Sequence, residues 1–448
     1  MPRLFGTDGV RGLANKDLTP RLALELGEAA ARVLTADVAL DRKPRAVIAR
    51  DTRVSGQMLA QAVAAGLASA GVDTEHVDVL PTPGLAYLTA STDVDLGVVI
   101  SASHNPMPDN GIKFFARGGY KLPDEQEDKI EALLGQEWAR PTGDGVGHIE
   151  RSSEEAEHAY IDYLVSRADV PLKGLHIAMD CANGATSVVA PTVLREAGAH
   201  VDVINASPDG YNINLNAGST HPERFQAFVK ASHADFGVAF DGDADRCLAV
   251  DADGNVVDGD QIMGLLALAM KDRGELDHDT LVVTVMSNLG LLLAMRDHGI
   301  EVKQTAVGDR YVLEEMRRGG FMLGGEQSGH IINLHHQTTG DGTLTALLVA
   351  MEVARQDKSL AELASVVKRL PQVLINVPNV DKNAVAQDRG VQDAIAKATE
   401  HLGDTGRVLL RPSGTEPLVR VMVEAATSED AQDVASRLAD VVKERLSL

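Results

Sequence analysis

At 448 residues the chain is too long for one hydrophobic core and accommodates about three or four domains. Its 44% hydrophobic and 24% charged residues are ordinary for a soluble globular protein, and the longest apolar run, residues 262–270, is far short of the ~20 residues a membrane helix needs. A formal net charge of −23 repels phosphate backbones, which argues against a nucleic-acid partner and requires local Arg, Lys and backbone N–H groups wherever an anion is bound. No stretch of leader type opens the chain, and two cysteines, Cys181 and Cys247, are too few for a disulfide framework, so the expected compartment is a reducing cytoplasm.

The chain opens on a glycine-rich loop, FGTDGVRG (5–12), ending in Arg11, and Thr19-Pro20 signals the start of a helix. RAVIARD (45–51), an alanine-rich helix, Ala70-Gly71 and VDVL (77–80) then make a strand–helix–strand unit. The same order recurs twice: LHIAMD (175–180), a helix, Ala197-Gly198 and VDVI (201–204); then TLVVTVMS (280–287), a helix, His298-Gly299 and EVKQT (301–305). Each glycine falls where a helix stops and reverses, the position that favours a left-handed backbone. Such units predict a mainly parallel sheet with helices packed on it. After each unit an apolar segment runs into a polar loop and returns: SASHNP (101–106) before GIKFF, DGDADR (241–246) before CLAV, and GGEQSGH (324–330) before IIN.

Between the first two units Ser152 and Glu155 read as a capping box for a helix through residues 160–166. The proline-punctuated stretch LPQVLINVPNVDKN (370–383) reads as a linker or domain entry. Beyond it lie a strand at 408–410, the loop RPSGTEP (411–417), a strand LVRVMVEA and a final helix with Val434, Leu438, Val441 and Val442 on one face. This is a small α+β domain.

The loops carry the chemistry. DGDADR sets Asp241, Asp243 and Asp245 at alternate positions with small residues between, a hard-oxygen cluster suited to Mg²⁺. An EF-hand is excluded, because its sixth position is Arg246 and its twelfth Ala252; DADGN (251–255) reads as a plain acidic hairpin. RPSGTEP offers Arg411, Ser413, the Gly414 backbone and Thr415 to a phosphate, with Arg420 as a second guanidinium. In GEQSGH, Glu326 and Ser328 suit sugar hydroxyls, with His330 behind. SASHNP is not a hydrolase elbow, since Ala102 and His104 stand where glycines belong, and neighbours on an extended chain point apart. Ser103 can instead carry a phosphoryl group covalently. Asn110-Gly111 reads as a hairpin turn that returns Lys113 to the loop, as acid/base or charge clamp, against the alternative of an edge lysine snorkelling to water.

SASHNP, DGDADR, GEQSGH and RPSGTEP, in that order over nearly the whole chain, resemble the α-D-phosphohexomutase superfamily. The resemblance implies an α/β protein of four domains around a central cleft. Three are related α/β domains with mixed sheets, at 1–155 (phosphoserine), 156–255 (metal) and 256–369 (sugar); the fourth is a smaller C-terminal α+β domain at 370–448 (phosphate). It implies that Ser103 is phosphorylated and ligates one Mg²⁺ together with Asp241, Asp243 and Asp245. Arg11, His104, Lys113, Arg246 and His330 would line the transfer site, with Lys113 as the general base. Glu326, Gln327 and Ser328 would hold the sugar, and Arg411, Ser413, Gly414, Thr415 and Arg420 the non-reacting phosphate.

FGTDGVRG, VGDRYV (307–312), GSTHPE (218–223) and Gln327 resemble the bacterial branch that acts on glucosamine phosphate. That branch implies interconversion of glucosamine 6-phosphate and glucosamine 1-phosphate through a 1,6-bisphosphate, with a hexosamine or hexose 1,6-bisphosphate as activator. The product would supply UDP-N-acetylglucosamine synthesis. Partners would be small sugar phosphates, with neither nucleic acid nor membrane, and the assembly a homodimer as among relatives. The alternatives are a phosphomannomutase or phosphoglucomutase with the same mechanism, a serine hydrolase, and a non-catalytic sugar-phosphate sensor.

Overall fold

The computed structural model describes residues 3–6, 8–36, 42–412 and 418–448. The chain forms two compact units: Met1–Val285 with Glu301–Ser365, and Met286–Ile300 with Val366–Leu448. Among the described residues no helix is long and apolar enough to cross a membrane.

The larger unit holds three sheets built to one plan. The first contains β1 (Val10–Leu13), β2 (Arg45–Arg50), β3 (Asp73–Val79), β4 (Leu96–Ile100), β5 (Asp109–Ala116), β6 (Tyr120–Lys121) and β7 (Ile149–Arg151). Their order is β1-β5-β4-β2-β3-β7, with β6 on β5. The second contains β8 (His176–Asp180), β9 (His200–Ile204), β10 (Phe236–Phe240), β11 (Cys247–Asp251) and β12 (Val256–Val257), ordered β12-β11-β10-β8-β9. The third contains β13 (Thr280–Thr284), β14 (Glu301–Thr305), β15 (Leu323–Gly325) and β16 (Ile331–Asn333), ordered β14-β13-β15-β16.

In each sheet the first strand of the repeat lies between two parallel partners: β3-β2-β4, β9-β8-β10 and β14-β13-β15. The chain then doubles back into an antiparallel strand, β5, β11 or β16. The sheets are therefore mixed rather than mainly parallel. The three motif loops occupy these equivalent reversals, at the carboxyl ends of parallel strands where α/β sheets place their ligands. Gly71, Gly198 and Gly299 take φ of 89°, 107° and 68°, as the helix-stop reading requires. Thr19 caps the helix Pro20–Leu34 by accepting from Leu22 N–H, with Pro20 in the first turn.

Two local expectations are corrected. Asn110-Gly111 is no turn: both lie in β5, opposite Gly12 and Arg11 of β1. The reversal spans residues 101–108, and the dipeptide serves packing. A Cβ on Gly111 would sit 2.3 Å from the Ser101 carbonyl oxygen, and buried Asn110 donates to Ser55 Oγ at 2.9 Å. Ser152 does precede the helix Ser153–Val165, but its hydroxyl bonds the Glu155 carboxylate directly at 3.1 Å instead of capping a backbone N–H. The proline stretch, read as a linker or domain entry, leads into the smaller unit and contains a strand, described next. The acidic hairpin reading holds: Asp251 Oδ1 accepts from Asp253 and Asn255 N–H between β11 and β12.

The smaller unit has one antiparallel sheet of β17 (Gln372–Pro378), β18 (Arg407–Pro412) and β19 (Leu418–Glu424), ordered β17-β19-β18. The proline stretch thus builds an edge strand, where Pro378 removes no needed donor. Val434, Leu438 and Val442 of the helix Ser428–Leu446 are buried against this sheet, with Val441 partly so. The helix Leu289–Asp297 belongs to this unit. Asn288 donates to Glu424 Oε1 (3.1 Å) and the Leu370 carbonyl (3.0 Å), and Leu289 N–H to Glu424 Oε2 (3.1 Å).

Candidate active site

Ser103 stands in the reversal between β4 and β5 with φ of +51°, a left-handed conformation that costs a non-glycine residue about 1–2 kcal/mol. Its backbone is clamped. The Ser103 carbonyl accepts from Arg53 Nη2 (3.1 Å) and Asn214 Nδ2 (2.8 Å), and the same two groups hold the Asn105 carbonyl at 2.5 and 3.1 Å. Arg53 is 0% exposed and paired with equally buried Asp51. Because the backbone is left-handed rather than extended, Ser103 Oγ and His104 Nδ1 approach to 3.4 Å, which corrects the expectation that they point apart. The closer partner of Ser103 Oγ is Asp241 Oδ2, at 2.5 Å.

Asp241, Asp243 and Asp245 are buried, with carboxylate oxygens within 4.8 Å of one another. Ala244, with φ of +56°, bends the loop, and Gly242 passes so close that a Cβ would lie 2.7 Å from the Ser103 carbonyl oxygen. Asp243 Oδ2 accepts from Thr82 Oγ1 (2.6 Å) and Lys113 Nζ (2.8 Å). Asp243 Oδ1 and Asp245 Oδ1 are buried without a hydrogen-bond partner. Burial, then Asp245 and Asp243, push the Asp241 carboxyl up to about 8. Two unsatisfied carboxylate oxygens beside a third strained carboxylate fit a small hard divalent cation.

Lys113, 2% exposed, lies on β5 between β1 and β4 and so does not snorkel from an edge. Its ammonium meets Asp8 at 2.7 Å and Asp243 at 2.8 Å. Burial acts to lower its pKa, but Asp243, Asp8 and Asp245 outweigh it and raise the value. The chain of charges continues from Asp8 to Arg11 (2.6 Å) and Lys121 (2.7 Å), and from Lys121 to Asp309. Burial, then Arg246 and Arg11, lower His104 to about 4, leaving a neutral imidazole at physiological pH. Arg246 donates its backbone N–H to Asp241 at 3.3 Å, and its guanidinium Nε is 3.8 Å from Asp245.

The third loop joins the first two. His330 Nδ1 is 3.5 Å from Asp245 and its Nε2 is 3.5 Å from Asp309, with Gly340 N–H 3.2 Å from Nε2; burial acts to lower the His330 pKa, but Asp245 and Asp309 raise it. Glu326 Oε1 accepts from Gly308 N–H (3.1 Å), Gln327 Nε2 is 3.3 Å from Asp258, and Ser328 is exposed. So Arg11, Ser103, His104, Lys113, the three aspartates, Arg246 and His330 form one cluster, with Glu326, Gln327 and Ser328 on the adjoining loop.

In the smaller unit Arg411 and Arg420 are direct cross-strand neighbours on β18 and β19. Like charges placed opposite repel, and among the described residues no carboxylate pairs with either, so the pair suits an anion. Ser413, Gly414 and Thr415 lie outside the described residues.

Sequence reasoning missed Asp8, Arg53, Thr82, Lys121, Asn214 and Asp309. Asp8 and Asp309 sat inside quoted motifs, FGTDGVRG and VGDRYV, without a role. Arg53 had a local signal in RDTR at the end of a buried strand. Thr82 and Asn214 had none, since their partners are 161 and 111 residues away.

Family models cover the chain in four pieces, all described as phosphoglucomutase/phosphomannomutase: alpha/beta/alpha domain I over residues 2–140, domain II over 158–254, domain III over 258–370 and the C-terminal domain over 374–441. The chain belongs to the phosphoglucomutase/phosphomannomutase family. Within that family it is 64% identical to a phosphoglucosamine mutase of Bifidobacterium longum subsp. infantis over 100% of both chains. It is 60% identical to that of Acidothermus cellulolyticus, over 99% of this chain and 96% of the relative. A solved phosphoglucomutase/phosphomannomutase family protein from Burkholderia thailandensis has a TM-score of 0.83 at 25% identity, over 100% of this chain and 99% of its own. The fold of a phosphomannomutase from Thermus thermophilus is likewise similar, with a TM-score of 0.77 over 98% of this chain and 99% of its own, at 24% identity.

Proposed function

We propose that the protein is a phosphoglucosamine mutase, an isomerase interconverting glucosamine 6-phosphate and glucosamine 1-phosphate. The observation that carries the chemistry is Ser103 Oγ, 2.5 Å from Asp241 within a buried three-carboxylate cluster. The choice of sugar rests on full-length identity of 59–64% to phosphoglucosamine mutases, which disfavours the mannose- and glucose-phosphate alternatives.

In this reading Ser103 carries a phosphoryl group. The sugar's 1-hydroxyl attacks that phosphorus, the bond from phosphorus to Ser103 Oγ breaks, and a 1,6-bisphosphate forms while the sugar proton passes to a site base. The intermediate turns over, Ser103 Oγ attacks the 6-phosphoryl group, and the 6-oxygen leaves with a proton. Asp241, Asp243, Asp245 and a phosphoserine oxygen would hold one Mg²⁺, which supplies charge neutralisation for the transferring phosphoryl group. Lys113, held as an ammonium by Asp243 and Asp8, acts as charge clamp and proton donor rather than as a free base. Neutral His104, Arg11, Arg246 and His330 line the transfer site, Glu326, Gln327 and Ser328 hold sugar hydroxyls, and Arg411 and Arg420 with Ser413, Gly414 and Thr415 hold the non-reacting phosphate. Water is excluded by the burial of Ser103 and the aspartates.

The reading takes domains at 1–155, 156–255, 256–369 and 370–448, a 1,6-bisphosphate activator, a cytoplasmic location and a homodimer, the last checked by sedimentation velocity. The deciding assay compares turnover of glucosamine, glucose and mannose 6-phosphates with Mg²⁺. Glucosamine 6-phosphate should be fastest, and a preference for either other sugar would overturn the assignment. Ser103→Ala should abolish both turnover and the phosphopeptide at residue 103; an active alanine variant would sink the mechanism.

A further inference from the structure

The second sheet carries a group of ligating side chains that the proposed mutase chemistry does not use. His176 opens β8, and His200 opens the neighbouring parallel strand β9 directly opposite it. Asp202 follows His200 by two residues, so strand alternation puts both on one face. The two imidazole rings stand 4.5 Å apart, and both aim their Nε2 atoms at the same carboxylate. His176 Nε2 is 2.9 Å from Asp202 Oδ2, and His200 Nε2 is 3.9 Å from Asp202 Oδ1. All three ligand atoms lie within 4.8 Å of one another. Among the described residues no lysine or arginine pairs with Asp202.

We propose that His176, His200 and Asp202 form a binding site for a borderline divalent transition metal, Zn²⁺ in the first instance. Two imidazoles and one carboxylate match the ligand preference of zinc, whereas magnesium takes oxygen ligands. Ligand atoms about 2 Å from a zinc ion stand a little over 3 Å apart in a tetrahedron, so the His176–Asp202 pair already has nearly that spacing. His200 is exposed, so its side chain can turn toward the ion and water can take the fourth position. The strand beneath is fixed, because His176 N–H donates to Asp235 Oδ2 at 2.8 Å. The cluster sits at the start of β8, whereas the Asp241–Asp245 loop follows the far end of the parallel neighbour β10. The two clusters therefore lie at opposite ends of the strands of one sheet and offer different ligand sets.

The test titrates Zn²⁺, as the chloride, into untagged, EDTA-stripped full-length protein held in excess Mg²⁺, followed by calorimetry. Wild type should bind one Zn²⁺ per chain at pH 7.5. His200→Ala and Asp202→Asn should weaken that event by more than about tenfold. Asp243→Asn, which alters the other cluster, should leave it unchanged. No zinc event in wild type, an undiminished one in His200→Ala, or its loss in Asp243→Asn would each overturn the proposal.

Discussion

Arg53 fills two needs with one guanidinium: it neutralises buried Asp51 and fixes the carbonyl of the residue proposed as phosphoryl carrier. Arg53→Met leaves a buried carboxylate uncompensated, which typically costs about 3–5 kcal/mol. The double variant Asp51→Asn/Arg53→Met should recover much of that stability in denaturant titrations, yet keep a kcat reduced by more than about tenfold with little change in KM. Wild-type kcat in the double variant would show that Ser103 holds its left-handed backbone without Arg53, with Asn214 sufficient. Asp341 gives a separate readout. It caps the helix Gly342–Gln356, accepting from Leu344 N–H (2.8 Å), Tyr160 (2.7 Å) and Gln337 (3.0 Å), and burial still pushes its carboxyl from 3.8 up to about 6. A raised carboxyl pKa means that the folded chain holds the proton more tightly than the unfolded chain. The contribution of Asp341 to stability is therefore greatest below pH 4 and declines as pH rises to 6, by up to about 3 kcal/mol. Asp341→Asn should flatten that part of the stability–pH curve, and an unchanged slope would refute the assignment.

Among the elements, the helices Pro20–Leu34 and Val54–Ser69 cross through reciprocal glycines. A Cβ on Gly27 would lie 2.5 Å from the Val63 carbonyl oxygen, and one on Gly66 would lie 2.1 Å from that of Leu24. Alanine at 66 gains about 1 kcal/mol of helix propensity, but overpacking against a rigid backbone costs more, about 1–3 kcal/mol or beyond. Gly66→Ala should thus lower the thermal midpoint; a higher midpoint would mean that the helices can separate without loss. The repeat of strand, helix, glycine and strand was legible because each step has a local signature, and so were the three reversals that follow. Asn110-Gly111 misled because the dipeptide favoured in hairpin turns is also what a crowded strand needs: a buried amide for Ser55 and a missing Cβ beside Ser101. The proline stretch, read as a linker or domain entry, did not announce its strand because β17 takes its register from β19, forty or more residues later in the chain. At the site, Ser103 and the aspartates were legible from residue type and spacing, whereas Asn214 acts through a fold-determined neighbour that no local pattern announces.

For the molecule as a whole, a net charge of −23 makes the buried aspartate cluster a place where like charge is concentrated further. A cation bound only by the folded chain adds about 2.7 kcal/mol at a hundred times its Kd. Mg²⁺ should raise the thermal midpoint of wild type, and Asp243→Asn should lose that rise; equal shifts in both would place magnesium elsewhere. The smaller unit poses a different constraint. Asn288 and Leu289 bind Glu424 across 136 and 135 residues, and Arg407 pairs with the same carboxylate at 2.9 Å while donating to the Ser287 carbonyl at 2.7 Å. This body is made from two separated lengths of chain. On the ribosome its first segment emerges long before the last eighty or so residues, which carry Arg407 and Glu424. A gene fragment beginning at 366 would keep the core residues between 377 and 446 but would leave Glu424 and Arg407 without Asn288, Leu289 and the Ser287 carbonyl.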